Sequence, residues 1–231
     1  MLEQMPRTEL GNIIASDKRV EKQLAWENKL KELDEVGDLL GNGLDEHIKD
    51  IVAAFNLNGF NTNQSCEGHD NSGLGAPWVS IEAPDEPEER YVGEKEVYQD
   101  VAERYGITFE DVKRANNEAA WVEAIELSSK NEETSECQDW KKENTKLRKK
   151  AEELVEAFYK NRTISDTAMR LEFENIGGGG TFRVHNGGED YLDVREMTEA
   201  QKSGLAERLP KYREEMEAFG KFLKDKFFNR Q

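Results

Sequence analysis

Apolar residues fall into two rhythms along this chain, one of helical period and one of alternation. Between Asp17 and about Gly37, Val20, Leu24, Leu30, Leu33 and Val36 make an imperfect stripe among many Lys and Glu, which predicts a peripheral helix. Gly37, Gly41 and Gly43 interrupt it and predict a connecting loop. Leu44, Ile48, Ile51, Val52 and Phe55 then recur on one face of a second helix, with Asp45 and Glu46 at its positive end and Asn58-Gly59 as its stop. Phe60 to Ser65 reads as extended, and Trp78 to Glu82 alternates as a strand that Pro84 and Pro87 close.

Residues from about 86 to 150 change character: they are strongly charged, helix-forming and poor in Gly and Pro, which predicts a helical insertion. Inside it, Thr108 and Asp111 resemble a capping box opening a helix with Val112, Ala115, Ala119, Val122 and Ile125 on one side. Ser135 to Asp139 reads as a polar joint. A further helix from about Trp140 to Asn161 turns Leu147, Ala151, Leu154, Val155 and Phe158 inward. Alternation returns with Met169, Leu171 and Phe173, then the glycines 177–180, then Phe182 and Val184, the strongest hairpin pattern in the chain. Thr198 to Gln201 is a second capping box, Pro210 divides its helix from a last one, and Tyr212, Met216, Phe219 and Leu223 line that last buried face. The expectation is a single α+β domain over residues 1–231, with a mixed or antiparallel sheet, helices packed on it and the insertion at about 86–150.

Charge narrows the partners. A formal net charge of -17 opposes long-range attraction to nucleic acid or to an anionic membrane. The basic run Lys141, Lys142, Lys146, Arg148, Lys149 and Lys150 reads as a solvated helix face. With no apolar run of membrane-spanning length and a polar start, the expected location is cytoplasmic. Cys66 and Cys137 are too few for a disulfide framework, and a reducing compartment keeps both as thiols.

The candidate chemistry concentrates in Asn63-Gln64-Ser65-Cys66-Glu67-Gly68-His69-Asp70, where a thiol, an imidazole, two carboxylates and a hydroxyl share one short run. Cys66 and His69 are the candidate catalytic pair, close enough to meet at one atom if Gly68 folds the turn. No metal is assigned, because a zinc set needs four ligands and no second close Cys/His pair follows. Asp45 and His47 from the preceding helix, Ser65, Glu67, Gly68 and Asp70 from the turn, and Arg183 and His185 from the late hairpin are the candidate ligand-binding residues. Thr181, Arg183 and His185 share a strand face that suits an anion or carboxylate if it lines a cleft. The bland alternative is a buried Cys below a turn and an exposed sheet face.

The stretch GLDEHIKDIVAAFNLNGFNTNQSCEGH, residues 43–69, resembles a segment of the third-step methyltransferase family of the tRNA wybutosine pathway through Asp45, Glu46, Ile48, Asn58, Thr62, Ser65, Cys66 and Gly68. His69 stands where that family has Arg. The SCEGH turn and the Pro77-Trp78-Val79 strand are also similar to bacterial proteins of unassigned activity. The first resemblance implies S-adenosylmethionine and RNA binding around the turn, and carries architecture more readily than activity.

Three functions follow as expectations. The leading one is a small-molecule or nucleotide site centred on the SCEGH turn. The second is an S-adenosylmethionine-dependent methyltransferase acting on a nucleic-acid base, and the third is a noncatalytic interaction protein using the helical insertion.

Overall fold

The computed structural model describes residues 7–37, 43–164 and 166–230, and the side chains of α1 from residue 18 onward. It is an α+β protein with, among the described residues, seven helices and a four-stranded antiparallel sheet. Two compact units divide it: residues 1–82, 148–176 and 181–231 form the first, and residues 83–147 with 177–180 the second.

The first unit holds α1 (Arg7–Asp34), α2 (Glu46–Leu57), β1 (Asn61–Cys66), β2 (Trp78–Glu82), β3 (Glu172–Ile176), β4 (Thr181–His185) and α7 (Glu199–Asn229). Strand order is β1-β2-β4-β3, and every pair is antiparallel. Alternation sorts the side chains. Val79, Ile81, Phe182 and Val184 are fully buried on one face, while Trp78, Ser80, Arg183 and His185 project from the other. One cross-strand row runs Cys66, Trp78, His185, Glu172, and the next runs Gln64, Ser80, Arg183, Glu174. A bulge between Thr62 and Gln64 sets this register in β1.

Helices α2 and α7 pack tightly because Gly220 leaves room for Ile51, whose Cγ1 would stand 2.7 Å from a Cβ there. Phe219 meets Phe55 and Phe158 edge-on at centroid distances of 5.8 and 5.2 Å. Pro210 does not divide this last helix, contrary to the sequence reading: α7 runs unbroken through it. The buried stripe Leu205, Leu209, Tyr212, Met216, Phe219, Leu223 keeps helical spacing across the proline, so packing outweighs one lost backbone hydrogen bond. The strand expected from Met169 starts only at Glu172. Met169 instead ends a 3-10 turn whose Ala168 N–H donates to Asp166 at 3.0 Å.

The second unit contains α3 (Glu94–Tyr105), α4 (Phe109–Lys113), α5 (Glu118–Ser128) and the first half of α6 (Ser135–Tyr159). Its core joins Tyr98, Val101, Ala102, Val112, Ala120 and Ala124. The Thr108 and Asp111 capping box forms, but its helix is short. Ala115 turns to φ 53, and Asn117 caps a new helix through the Ala120 N–H, which rotates the buried face to Ala120 and Ala124. Ala119 and Val122 are therefore exposed, a correction to the single amphipathic helix expected there. The Ser135 to Asp139 joint is likewise the first turn of α6. The Thr134 hydroxyl accepts from the Cys137 N–H at 3.1 Å, and Cys137 is buried.

Five members of the basic run are engaged locally. Lys141, Lys142, Lys146 and Arg148 pair with Glu133, Asp139, Glu143 and Glu152, and Lys150 donates to the Asn58 carbonyl at 2.6 Å. No helix among the described residues is long and apolar enough to cross a membrane.

Candidate functional site

The SCEGH turn sits where β1 ends, and two elements hold it. Asp45 is the residue before α2, yet its carboxylate does not cap that helix. It accepts instead from the Glu67 N–H at 3.0 Å, while Glu67 Oε2 accepts from the His47 N–H at 3.1 Å. The helix start and the turn thus exchange carboxylates. From α7, Arg213 donates to the carbonyls of Glu67 (3.0 Å) and Gly68 (2.6 Å) and pairs with the Glu67 carboxylate at 2.9 Å. Gly68 has φ +77, and a Cβ there would meet the Ala76 carbonyl carbon at 2.7 Å, so both its conformation and its neighbour require glycine. The His69 N–H donates to Leu74 at 3.2 Å and closes the loop behind it.

This frame brings together Asp45, Cys66 and His69. One oxygen, one sulfur and one nitrogen lie within 4.8 Å of one another, all three residues half-buried. His69 Nε2 stands 3.5 Å from Asp45 Oδ2. Ligands about 2.0 and 2.1 Å from a tetrahedral zinc ion would be roughly 3.3 Å apart, so this edge is close to metal-ready. The Gly68 N–H points to Cys66 Sγ at 3.4 Å, and Asp45 is oriented by a backbone N–H, the supporting contacts that metal ligands use. Burial, and then the charges of Asp45 and Glu67, push the Cys66 thiol up to about 11 against the opposing pull of the Gly68 N–H. A free thiol in that setting stays protonated at neutral pH and is a weak nucleophile.

The remaining sequence candidates are distributed around this cluster. The His47 imidazole is half-exposed and faces Glu217 at 3.2 Å, outside the three-donor group. Ser65 pairs with Val79 across the sheet and so projects from the opposite face to Cys66. Glu67 and Gly68 are framework, held by Arg213, and Asp70 is exposed on the loop. Arg183 and His185 lie two strands away, His185 in the same cross-strand row as Cys66. His185 is 7% exposed and stacks on Tyr191 with ring centroids 3.7 Å apart. Thr181 is buried and donates toward Glu82 at 3.4 Å.

Sequence reasoning missed Arg213. It follows Tyr212 in the buried stripe of α7, so its position was readable as a stripe edge, but its partners lie about 145 residues earlier. The fold and the turn define an α+β protein with a three-donor cluster at a strand end. The chain matches no family model, no curated protein and no solved structure.

Proposed function

We propose that this protein binds one divalent transition-metal ion, zinc foremost, through Asp45, Cys66 and His69, and offers the remaining coordination position to water and a small-molecule substrate. The observation that carries the reading is the convergence of three different donor types within 4.8 Å on a backbone already fixed by Arg213. Three protein ligands with one open position is the arrangement of catalytic zinc, whereas closed four-ligand sets serve structure. With Cys66 as thiolate and Asp45 ionised, the two negative charges balance a dication. The ion would lower the acidity barrier of bound water and polarise a substrate carbonyl, so metal-assisted hydrolysis is the reaction class that fits.

The thiol environment supports the same reading: burial, and then the negative charges of Asp45 and Glu67, hold a proton on Cys66 that a bound cation would displace. Calorimetry of EDTA-treated protein with zinc tests it. The expected result is one ion per chain with about one proton released near neutral pH, and a thiolate-to-metal absorption band when cobalt replaces zinc. S-adenosylmethionine, which the wybutosine-pathway resemblance implies, is expected to give no heat. Absence of saturable binding, or binding unchanged in Cys66→Ser, would overturn the metal reading; saturable S-adenosylmethionine binding would favour the methyltransferase reading.

A further inference from the structure

The sheet face that carries Cys66 also carries a group of buried nitrogens that no partner among the described residues satisfies. Trp78 Nε1, Arg183 Nε and His185 Nδ1 are each shielded and without a hydrogen-bond partner. A buried polar atom left unpaired costs about 1–3 kcal/mol, so native folds seldom gather several in one place without a use for them. These three are neighbours. Trp78 and His185 are direct cross-strand partners, and the Arg183 guanidinium carbon lies 4.1 Å from the centre of the Trp78 ring.

Tyr191 covers the patch. Its ring lies flat on His185, and its hydroxyl accepts from Arg183 Nη1 at 3.3 Å and donates to Glu174 at 2.9 Å. Its backbone is held by neighbours on both sides: the Leu192 carbonyl accepts from the Gly75 N–H at 3.0 Å, and Asp190 is paired with Arg208. A ligand therefore reaches the nitrogens by displacing the Tyr191 side chain, not the loop. A planar group can then take the place of the Tyr191 ring on His185.

Charge selects the kind of ligand. Arg183 already faces Glu174 at 3.7 Å, and Glu172 is the cross-strand partner of His185. Asp45 and Glu67 act on Cys66 at the other end of the row, and the chain as a whole carries -17. An added anion would meet these carboxylates around the single guanidinium of Arg183, whose charge Glu174 already draws on. An uncharged carbonyl oxygen offers lone pairs to the indole N–H and the guanidinium without that cost.

We propose that Trp78, Arg183 and His185 form a recognition site for an uncharged, planar, carbonyl-bearing group of the cyclic urea or amide type, displacing Tyr191, with Trp78 one strand and Arg183 and His185 two strands from Cys66. Cross-strand partners are about 5 Å apart, so along this row Trp78 lies about 5 Å and His185 about 10 Å from Cys66, and a group stacked on His185 points along the row toward the Asp45, Cys66 and His69 cluster. The proposal rests on the metal reading for what happens to the captured group, but not for its binding. This reading also gives Arg183 and His185 a shared role that differs from the anion or carboxylate site expected from the strand pattern.

The test is run on EDTA-treated full-length chain, so that it can fail independently of zinc. The probes are uracil and 2-imidazolidinone, with acetate and inorganic phosphate as anions. The readout is the indole N–H signal of Trp78, assigned by its loss in Trp78→Phe. The expected result is a saturable shift of that signal with the uncharged probes, at least about tenfold weaker with the anions, and abolished in Arg183→Met while the indole signals of Trp26, Trp121 and Trp140 stay in place. If no probe gives saturation, the nitrogens are satisfied by ordered water and the proposal is wrong. Equal or tighter binding of acetate or phosphate would overturn the assignment of an uncharged ligand.

Discussion

Two carboxylate clusters of the first unit show what a satisfied site looks like and what an incomplete one looks like. Asp190 receives both arms of the Arg208 guanidinium, at 2.6 and 2.7 Å, and the Tyr212 hydroxyl at 2.6 Å. Burial pushes its carboxyl up, but the Arg208 and Tyr212 hydrogen bonds prevail and hold it below the ordinary carboxylate range. Asp45 is half-buried where Asp190 is buried, and its side-chain neighbours are a thiol and an imidazole, while the nearby Arg213 is spent on Glu67. The first cluster carries its own cation. The second is short of one, and that difference is the physical argument for an external ion.

Breaking the comparison is most direct at the second cluster. Asp45→Asn, Cys66→Ser and His69→Ala are each expected to weaken zinc binding at least about 100-fold, measured by competition with a chromophoric chelator. If all three variants bind zinc like the parent, the clusters do not differ in the way claimed.

Thiol reactivity gives the next largest effect. A thiol held at about 11 carries far less thiolate at pH 8 than an ordinary cysteine, so alkylation of Cys66 by iodoacetamide is expected to be about two orders of magnitude slower than for a free thiol. The rate should climb as pH rises toward 11. Peptide mass mapping separates Cys66 from Cys137, and a rate at pH 8 matching free cysteine would contradict the electrostatic picture.

Asp190→Asn addresses the satisfied cluster. It leaves Arg208 without its counter-charge while sparing the zinc site, and is expected to cost about 2 kcal/mol in urea unfolding, since Arg208 is partly exposed. The folded-state carboxyl is depressed, so its stabilisation is present above the ordinary Asp value near 4 and fades as pH falls through the lower folded value. The acid side of the stability profile should therefore be flatter in Asp190→Asn than in the parent as pH falls below about 5. His47→Ala sharpens the boundary of the incomplete cluster with the smallest effect. Its ring is half-exposed against Glu217, and both zinc affinity and stability are expected to change by no more than about 0.5 kcal/mol.

Much of this was legible in the residues because it is local. The 2-period of Trp78 to Glu82 and the 3.6-period of α2 needed no tertiary context, and both capping boxes formed where Thr108 and Thr198 stand. The turn itself was legible as a density of reactive groups, and Asp45 was named with it. What was hidden depended on distant packing. Pro210 reads as a helix breaker until the stripe on both sides finds its buried surface, and Ala115 reads as a helix former until the Asn117 cap restarts the phase. Arg213 looks like any solvent-facing arginine, because nothing near it in sequence announces the two carbonyls it serves. The row from Cys66 to His185 needs the order β1-β2-β4, which no single strand reveals.

The exchange of carboxylates between Asp45 and Glu67 also bears on kinetics. Because the backbone around the three donors is already laced to α2 and α7, an arriving ion has little chain left to organise. Uptake should then resemble loading a finished socket, fast and almost silent in far-ultraviolet circular dichroism, unlike small zinc modules that fold around their metal.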